Sequence, residues 1–383
     1  MNNSLNKYMI MLSVIPILGL SADRYPILNI LNLMLLFYYG INGYLFLIKD
    51  TKYIQRGYNG WFIFLLFLYV FIIFCSCLIN QNLSVGVVYT NIFYVGLYLY
   101  YYKCFDNFRE FILYFTRGLM IFLCINLILC IIKEHSSYIY SSQRLAFRGL
   151  FGNRNTIPLI TIPTMLLITI KSDYLQEKFN IFDLLQLFVC YYLIIMSKSS
   201  TGLVIGTIAL GYIFFKKYLI RVSFLWKMLV YLTLFFSLVI FKIHETILSN
   251  FITMILKKNI SLTGRTFIWD YSLQSLVKSP FIGFGSKQNL IMNNFGVTEA
   301  HNGFIEILMA TGLTGLMIIL LILWLVRKKL DQCHFILANI IGTSIFIYLL
   351  NVLTESGLTF HKFGFWLFVI MSINIEKIKK TVY

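Results

Sequence analysis

Apolar stretches long enough to cross a lipid bilayer recur along the whole of this 383-residue sequence. A hydrocarbon core about 30 Å thick is crossed by a helix of about 20 apolar residues. Only 12% of the residues are charged, about half the fraction found in a typical soluble domain. The sequence therefore predicts an all-α polytopic membrane protein, with residues 1–383 forming a single membrane domain.

Hydropathy predicts about twelve transmembrane helices. A cleaved signal peptide is the alternative for the first of them, because Lys7 precedes a short apolar run and small residues follow it. Between the ninth and tenth spans, residues 242–302 form a long extracytoplasmic loop insertion. The predicted spans are Tyr8–Leu20, Ile27–Ile48, Trp61–Ile79, Val85–Tyr102, Phe111–Ile132, Ile157–Ile170, Ile181–Met196, Thr201–Phe215, Met228–Phe241, Gly303–Val326, Phe335–Val352 and Phe363–Ile373.

Lys and Arg residues are distributed unequally between the two sides of these spans. More than half of them fall on the side that holds both termini, whereas the short loops of the other side hold only Arg24, Lys198 and Lys362. Cytoplasmic loops carry such an excess, so we predict that the N- and C-termini are cytoplasmic. This topology explains most of the net charge of +17 and leaves membrane lipid, not nucleic acid, as the expected partner.

An amphipathic helix is predicted within the long outer loop, in the stretch TGRTFIWDYSLQSLVKSP. Ser261 or Thr263 can cap its start, and Arg265, Ile268 and Trp269 share one face. A guanidinium on an apolar face is costly without a partner, which points to an anion at Arg265. The alternative is that Arg265 reaches lipid phosphate at the interface, where Trp269 is also favoured.

Polar residues also mark the start of the tenth span, in the stretch AHNGFIE. His301 and Asn302 precede the span, and Glu306 lies one helical turn further on. A neutral imidazole can accept a proton from a sugar hydroxyl, which predicts His301 as a general base. The alternative is an inert interfacial histidine.

Two further outer segments carry cations next to turn residues. The first is RLAFRGLFGNRNTIP, in which Arg148 and Arg154 are candidates for binding a lipid headgroup or a diphosphate, with Asn153 and Asn155 beside them. A turn and a helix cap explain the same asparagines structurally. The second is the short turn MSKSSTG, where Lys198 is either a substrate contact or an interface anchor.

The order of GLFGNRN, SKSSTG, TGRTFIW, SPFIGFG and AHNGFIEILMATGLTG resembles the O-antigen polymerase and ligase superfamily. The resemblance covers about the second half of the chain, and its most specific part runs from the His-Asn pair to the Gly-x-x-Gly block. Two positions depart from the family pattern. Lys198 stands where many relatives have Arg, and Arg154 stands where many have Pro. A lysine at position 198 offers a point charge in place of a bidentate fork.

The resemblance implies a glycosyltransferase of the bacterial plasma membrane that polymerises undecaprenyl-diphosphate-linked oligosaccharide repeat units of a capsule, exopolysaccharide or O-antigen. It implies inversion at the anomeric carbon, no metal, no cofactor, and a chain-length regulator and a flippase as partner proteins. Cations must stabilise the departing diphosphate, a role that suits Arg265 with Arg154, Arg148 or Lys198. His301 would activate the acceptor. The predicted substrate-binding residues are Arg154, Arg148, Lys198, Asn153, Asn155, Trp269, Asn302 and Glu306.

Two alternatives remain open at this stage. A ligase that attaches glycan to a lipid acceptor shares all of these motifs. A flippase or another secondary transporter is compatible with about twelve spans, but transporters place ionisable residues at the membrane midplane between related halves. The ionisable residues singled out here fall in outer loops or near span ends, and no repeated half is visible.

Overall fold

The chain is almost entirely helical in the computed structural model, which describes residues 3–20, 25–49, 57–134, 137–141, 144–219, 222–246, 264–285, 289–297, 299–333 and 335–381. The helices are α1 (Asn3–Leu12), α2 (Pro26–Lys49), α3 (Tyr58–Ile79), α4 (Val85–Cys104), α5 (Phe108–Ile131), α6 (Thr156–Tyr174), α7 (Ile181–Ser197), α8 (Ser200–Leu219), α9 (Phe224–Phe235), α10 (Ile243–Thr246), α11 (Arg265–Leu276), α12 (Asn289–Phe295), α13 (Gly303–Gln332), α14 (Ile336–Val352), α15 (Phe363–Ile373) and α16 (Ile375–Lys380). A short hairpin pairs β1 (Tyr138–Ser141) with β2 (Arg144–Phe147).

Length and composition identify the membrane-crossing helices. Among the described residues, five helical segments are long and apolar enough to span a bilayer, and five shorter helices are apolar as well. The chain is therefore a multi-pass membrane protein of helices, as predicted, while the count of twelve stays a prediction. The long segments are Pro26–Lys49, Tyr58–Ile79, Val85–Ile131, Thr156–Tyr174 and Gly303–Gln332.

The helix ends are joined by polar contacts at two opposite ends of the bundle. At one end, four lysines each contact a carboxylate, in the pairs Lys171–Asp183, Lys216–Asp173, Lys329–Glu376 and Lys377–Asp106. At the other end, the Asn80 side chain donates to the Gly283 carbonyl (3.0 Å) and the Thr354 hydroxyl donates to Thr201 (2.9 Å). The contacts join span ends in the alternation that the sequence predicts.

The first predicted span needs a correction, and the helical fold carries one short hairpin among its described residues. Helix α1 ends at Leu12, and a 3-10 turn at Ile15–Ile17 contains Pro16, which has no backbone N–H to continue the helix. The antiparallel hairpin lies in the predicted outer loop between α5 and α6. After it, the Arg148 amide donates to the Ser137 carbonyl (2.9 Å), which closes the base of the hairpin.

Helix α13 is broken at Gly312, whose φ of +64° and ψ of −161° are not helical. A Cβ at Gly312 would lie 2.3 Å from the Phe281 carbonyl carbon, so only glycine fits. The segment 280–285 docks into the break and supplies backbone partners for the groups left unpaired there. The four hydrogen bonds run from Phe284 N to Met309 O (2.7 Å), Gly285 N to Ala310 O (3.0 Å), Leu313 N to Pro280 O (2.8 Å) and Thr314 N to Phe281 O (3.3 Å).

Candidate active site

Arg265 and His301 meet on one carboxylate, that of Glu355. The Arg265 Nη2 atom lies 2.5 Å from Glu355 Oε1, and the His301 Nδ1 atom lies 3.5 Å from Glu355 Oε2. Three elements bring them together: the first residue of α11, the turn before α13, and the loop between α14 and α15. The two residues predicted as catalytic therefore share a partner at the end of the bundle that holds Thr201 and Thr354.

The shared carboxylate is the most deeply buried member of this group. Its side chain is 3% exposed, compared with 14% for Arg265 and 19% for His301. A buried carboxylate is stable only when cations or hydrogen-bond donors compensate it. Glu355 therefore holds the guanidinium in place and, through its second oxygen, faces the imidazole that would become positive on taking a proton.

Arg154 extends this cluster from the segment before α6. Burial lowers the pKa of Arg154, repulsion by the Arg265 guanidinium lowers it further, and attraction to Glu355 opposes the shift. Arg154 thus lies within electrostatic range of both residues. Two guanidiniums around one carboxylate leave an excess of positive charge, which suits an anionic ligand.

Asn302 fixes the turn that carries His301. Its side-chain oxygen accepts hydrogen bonds from Phe304 N (3.0 Å) and Ile305 N (3.1 Å), which caps α13. Its side-chain nitrogen donates to the Leu353 carbonyl (2.8 Å), two residues before Glu355. In this structure Asn302 ties the two loops of the site together, and substrate binding by Asn302 stays a prediction.

Trp269 also acts on the turn from inside the protein. Its side chain is fully buried, and its indole nitrogen donates to the Ala300 carbonyl (3.0 Å), next to His301. The helix face predicted from the sequence is buried at Ile268, Trp269 and Ser272, but Thr266 from the opposite face is buried too. The predicted caps Ser261 and Thr263 lie outside the described residues, and Gly264 precedes the helix in a left-handed conformation. Trp269 is therefore placed to position the turn, and substrate binding by Trp269 stays a prediction.

Replacing Trp269 by phenylalanine should destabilise the protein while keeping the ring buried. The Ala300 carbonyl would lose its donor, and an unsatisfied buried polar group costs about 1–3 kcal/mol. Thermal unfolding of the purified protein in detergent measures this loss. Trp226→Phe is the matched control, because Trp226 is 63% exposed, and equal unfolding midpoints for both variants would contradict the assignment.

Glu306 holds the other side of the same turn. Its Oε2 atom accepts from the Ala300 amide (2.7 Å) and from the Ser356 hydroxyl (3.3 Å). It also lines a cavity of about 790 Å³. Glu306 is therefore well placed both to support the turn and to meet a ligand.

The remaining predicted residues occupy structural positions whose binding roles stay predictions. Asn153 forms a local turn in which its Oδ1 atom accepts from the Asn155 amide (3.0 Å), and Asn155 precedes α6 without a side-chain cap. Lys198 is exposed and ends α7 in a left-handed conformation with φ of +52°. Arg148 is partly exposed at the base of the hairpin.

Glu355 was missed by the sequence reasoning. It lies 90 residues from Arg265, in the stretch LTESGLTFHK between the last two predicted spans. The available signal was its charge, since only 15 residues of the chain are acidic. An acidic side chain in a short loop that is predicted to lie outside, in such a basic protein, is a natural partner for the unexplained Arg265.

Comparisons with known proteins support the resemblance. A family model described as O-antigen ligase matches residues 185–320, about a third of the chain. The searches of curated proteins and of solved structures found no significant match. The matched segment contains Arg265, Trp269, His301 and Asn302, while Glu355 follows it. This match and these motifs support a place for the chain in the O-antigen polymerase and ligase superfamily.

Proposed function

We propose that this protein is a polysaccharide polymerase that joins undecaprenyl-diphosphate-linked oligosaccharide repeat units at the outer face of a bacterial plasma membrane. The observation that carries the proposal is the shared carboxylate of Glu355, which holds a guanidinium and an imidazole in one site. The match to the O-antigen ligase family model supports lipid-linked oligosaccharide substrates and a glycosyltransferase reaction. We propose further that the enzyme is a polymerase, that it inverts the configuration at the anomeric carbon, and that it works without a metal ion.

Arg265 and Arg154 would stabilise the leaving group. The bond between the anomeric carbon and the diphosphate oxygen breaks with its electron pair, so negative charge builds up on the diphosphate. Preorganised guanidiniums meet that charge without reorganising at the moment of reaction. Among the described residues, no group of three His, Cys, Asp or Glu is arranged to hold a metal ion, and we assign the electrostatic role to the arginines.

His301 would activate the acceptor. Its Nδ1 atom faces Glu355, which leaves Nε2 to take the proton of the acceptor hydroxyl. The hydroxyl oxygen forms its bond to the anomeric carbon on the face opposite the diphosphate, so the configuration inverts. Glu355 stabilises the imidazolium that forms, as a carboxylate does in other histidine-dependent sites.

We place this site outside the cell, with residues 242–302 as the extracytoplasmic insertion and both termini in the cytoplasm. The lysine pairs at the opposite end of the bundle support this orientation. A flippase would then deliver the lipid-linked unit to the site, and a chain-length regulator would act on its product.

Purified protein incubated with a defined lipid-diphosphate repeat unit should build a ladder of polymers in the presence of EDTA. Product length is measured on a gel. The arginines, and no divalent cation, would supply the positive charge, so EDTA should leave the ladder unchanged. A ladder lost in EDTA and restored by magnesium would contradict metal independence.

The same assay separates the alternatives. A ligase would transfer the unit once to an added lipid A-core acceptor and build no ladder. A flippase would form no new glycosidic bond with either acceptor but would move the lipid-linked unit across proteoliposomes. Either result would overturn the assignment of this protein as a polymerase.

A further inference from the structure

A cavity of about 790 Å³ lies beside the candidate active site and has no role in the chemistry described so far. Its walls come from the middle of α3, the first half of α4, the first turns of α13 and the loop 356–361. The volume falls in the range of small-molecule sites, about 300–1,000 Å³. It is therefore large enough for an oligosaccharide fragment.

The lining combines hydrogen-bonding groups with aromatic rings. Glu299, Glu306 and Asn91 contribute polar side chains to the lining, and Tyr69 and Phe360 contribute aromatic rings, alongside several aliphatic side chains. None of the described lining residues is Lys or Arg. Carboxylates repel phosphate but accept hydrogen bonds from hydroxyls, and aromatic faces pack against apolar C–H groups. This chemistry fits an uncharged, polyhydroxylated ligand.

The cavity and the arginine cluster are built from the same two short segments. Glu299 lines the cavity, whereas His301, two residues later, contacts Glu355. Ser356 lines the cavity, whereas Glu355, one residue earlier, contacts Arg265. Neighbouring residues of these two segments therefore contribute to the cation-rich cluster and to the cavity, which places the cavity next to His301.

His361 also lines the cavity and is a neutral hydrogen-bonding group. Burial lowers the pKa of His361 to about 3, and the neighbouring Lys362 adds to the shift. A neutral imidazole has one donor and one acceptor nitrogen, which again suits a hydroxyl-rich ligand. The His361 side chain therefore adds no positive charge to the cavity at neutral pH.

We propose that this cavity binds the uncharged sugars of the acceptor glycan, while the arginine cluster binds the diphosphate of the donor. The proposal rests on the proposed function and names the substrate part that each compartment takes. The two walls, Glu299 to His301 and Glu355 to Ser356, would hold the acceptor hydroxyl next to the imidazole.

Gly86→Trp tests the site by filling the cavity from α4. A Cβ at Gly86 would have only Ser84 Oγ within 4 Å, at 3.9 Å, so the helix tolerates a side chain there. The probe is the free oligosaccharide of one repeat unit, released by mild acid from the lipid-linked donor, and its binding is measured by calorimetry. Wild type should bind it, and Gly86→Trp should bind at least tenfold more weakly. Gly211→Trp is the matched control, because a Cβ at Gly211 meets nothing within 4 Å and Gly211 lies outside the cavity.

Glu299→Gln keeps the shape of the wall and removes one charged acceptor. Loss of a hydrogen bond to a charged group should weaken oligosaccharide binding about tenfold. This variant decides the question if Gly86→Trp does not fold. The affinity for undecaprenyl diphosphate should stay unchanged in both variants, because this lipid carries no sugar that could enter the cavity.

Three results would overturn the sugar site: no binding of the free oligosaccharide by wild type, unchanged binding by the variants, or loss of undecaprenyl diphosphate binding in them. Wild type that binds the oligosaccharide in a Glu299-dependent manner but makes no polymer would refute the proposed function and leave the sugar site standing. If both variants polymerise normally and bind the oligosaccharide as tightly as wild type, the sugar site is refuted and the proposed function stands.

Discussion

Cells carrying His301→Ala or His301→Asn should make no long-chain polysaccharide. General-base catalysis contributes about 10²–10⁴-fold in rate, and each added repeat unit needs that step. The asparagine variant is the sharper of the two, because position 301 has φ of +51° and asparagine tolerates this left-handed conformation better than alanine. Polymer length is measured on a gel, and protein abundance is measured in isolated membranes.

The His301 variants should insert into the membrane and accumulate like wild type. Trp269 contacts the carbonyl of Ala300 and Asn302 caps α13, so neither contact depends on the imidazole. His301→Gln provides a further comparison, since it keeps a hydrogen-bonding side chain that cannot take up a proton. Polymer of normal length in the asparagine and glutamine variants would show that the imidazole positions the loop without acting as a base.

Arg265→Ala should also abolish long-chain polysaccharide. Removing one preorganised donor of positive charge typically costs about 10²–10³-fold in rate. It also leaves the buried carboxylate of Glu355 without its guanidinium, and breaking a buried ion pair costs about 3–5 kcal/mol of stability. Polymer length and the thermal unfolding midpoint therefore have to be measured together.

The double variant Arg265→Ala with Glu355→Gln separates the two effects. It removes the uncompensated charge, so stability should recover while polymer formation stays absent. Recovery of polymer would mean that Arg265 serves only to pair Glu355. Arg327→Ala is the matched control, because Arg327 forms an exposed pair with Asp331, within one helix at the opposite end of the bundle, and should change neither measurement.

The apolar helices could be predicted from sequence because hydropathy is a local property. The predicted span Ile27–Ile48 corresponds to the helix Pro26–Lys49, and Phe363–Ile373 matches its helix at both ends. The break after Leu12 was visible as Pro16 but was included in a continuous span. The hairpin at 138–147 was missed because its strands have four residues each, too few to give a clear alternation.

The sequence predicted only those site residues whose side chains are unusual for their position. Arg265 on an apolar face and His301 at a span boundary stood out, and the structure places both on Glu355. Glu355 itself could not be paired with them, because the contact joins distant parts of the chain. Trp269 and Asn302 contact the backbone carbonyls of Ala300 and Leu353, and sequence alone does not reveal such partners.

Helix α13 meets the long loop twice, at its first residue and again at its break. The turn with His301 runs directly into the helix, and the segment 280–285, which follows the helix that begins with Arg265, docks around Gly312. Both halves of the site are thus attached to one helix, at its start and at its break, and the docking bonds join backbone atoms around a position that only glycine fits. None of these docking bonds involves α4. Evolution could therefore alter the sugar-facing surface of α4 and change which glycan is accepted, while the spacing between base and cation stays the same.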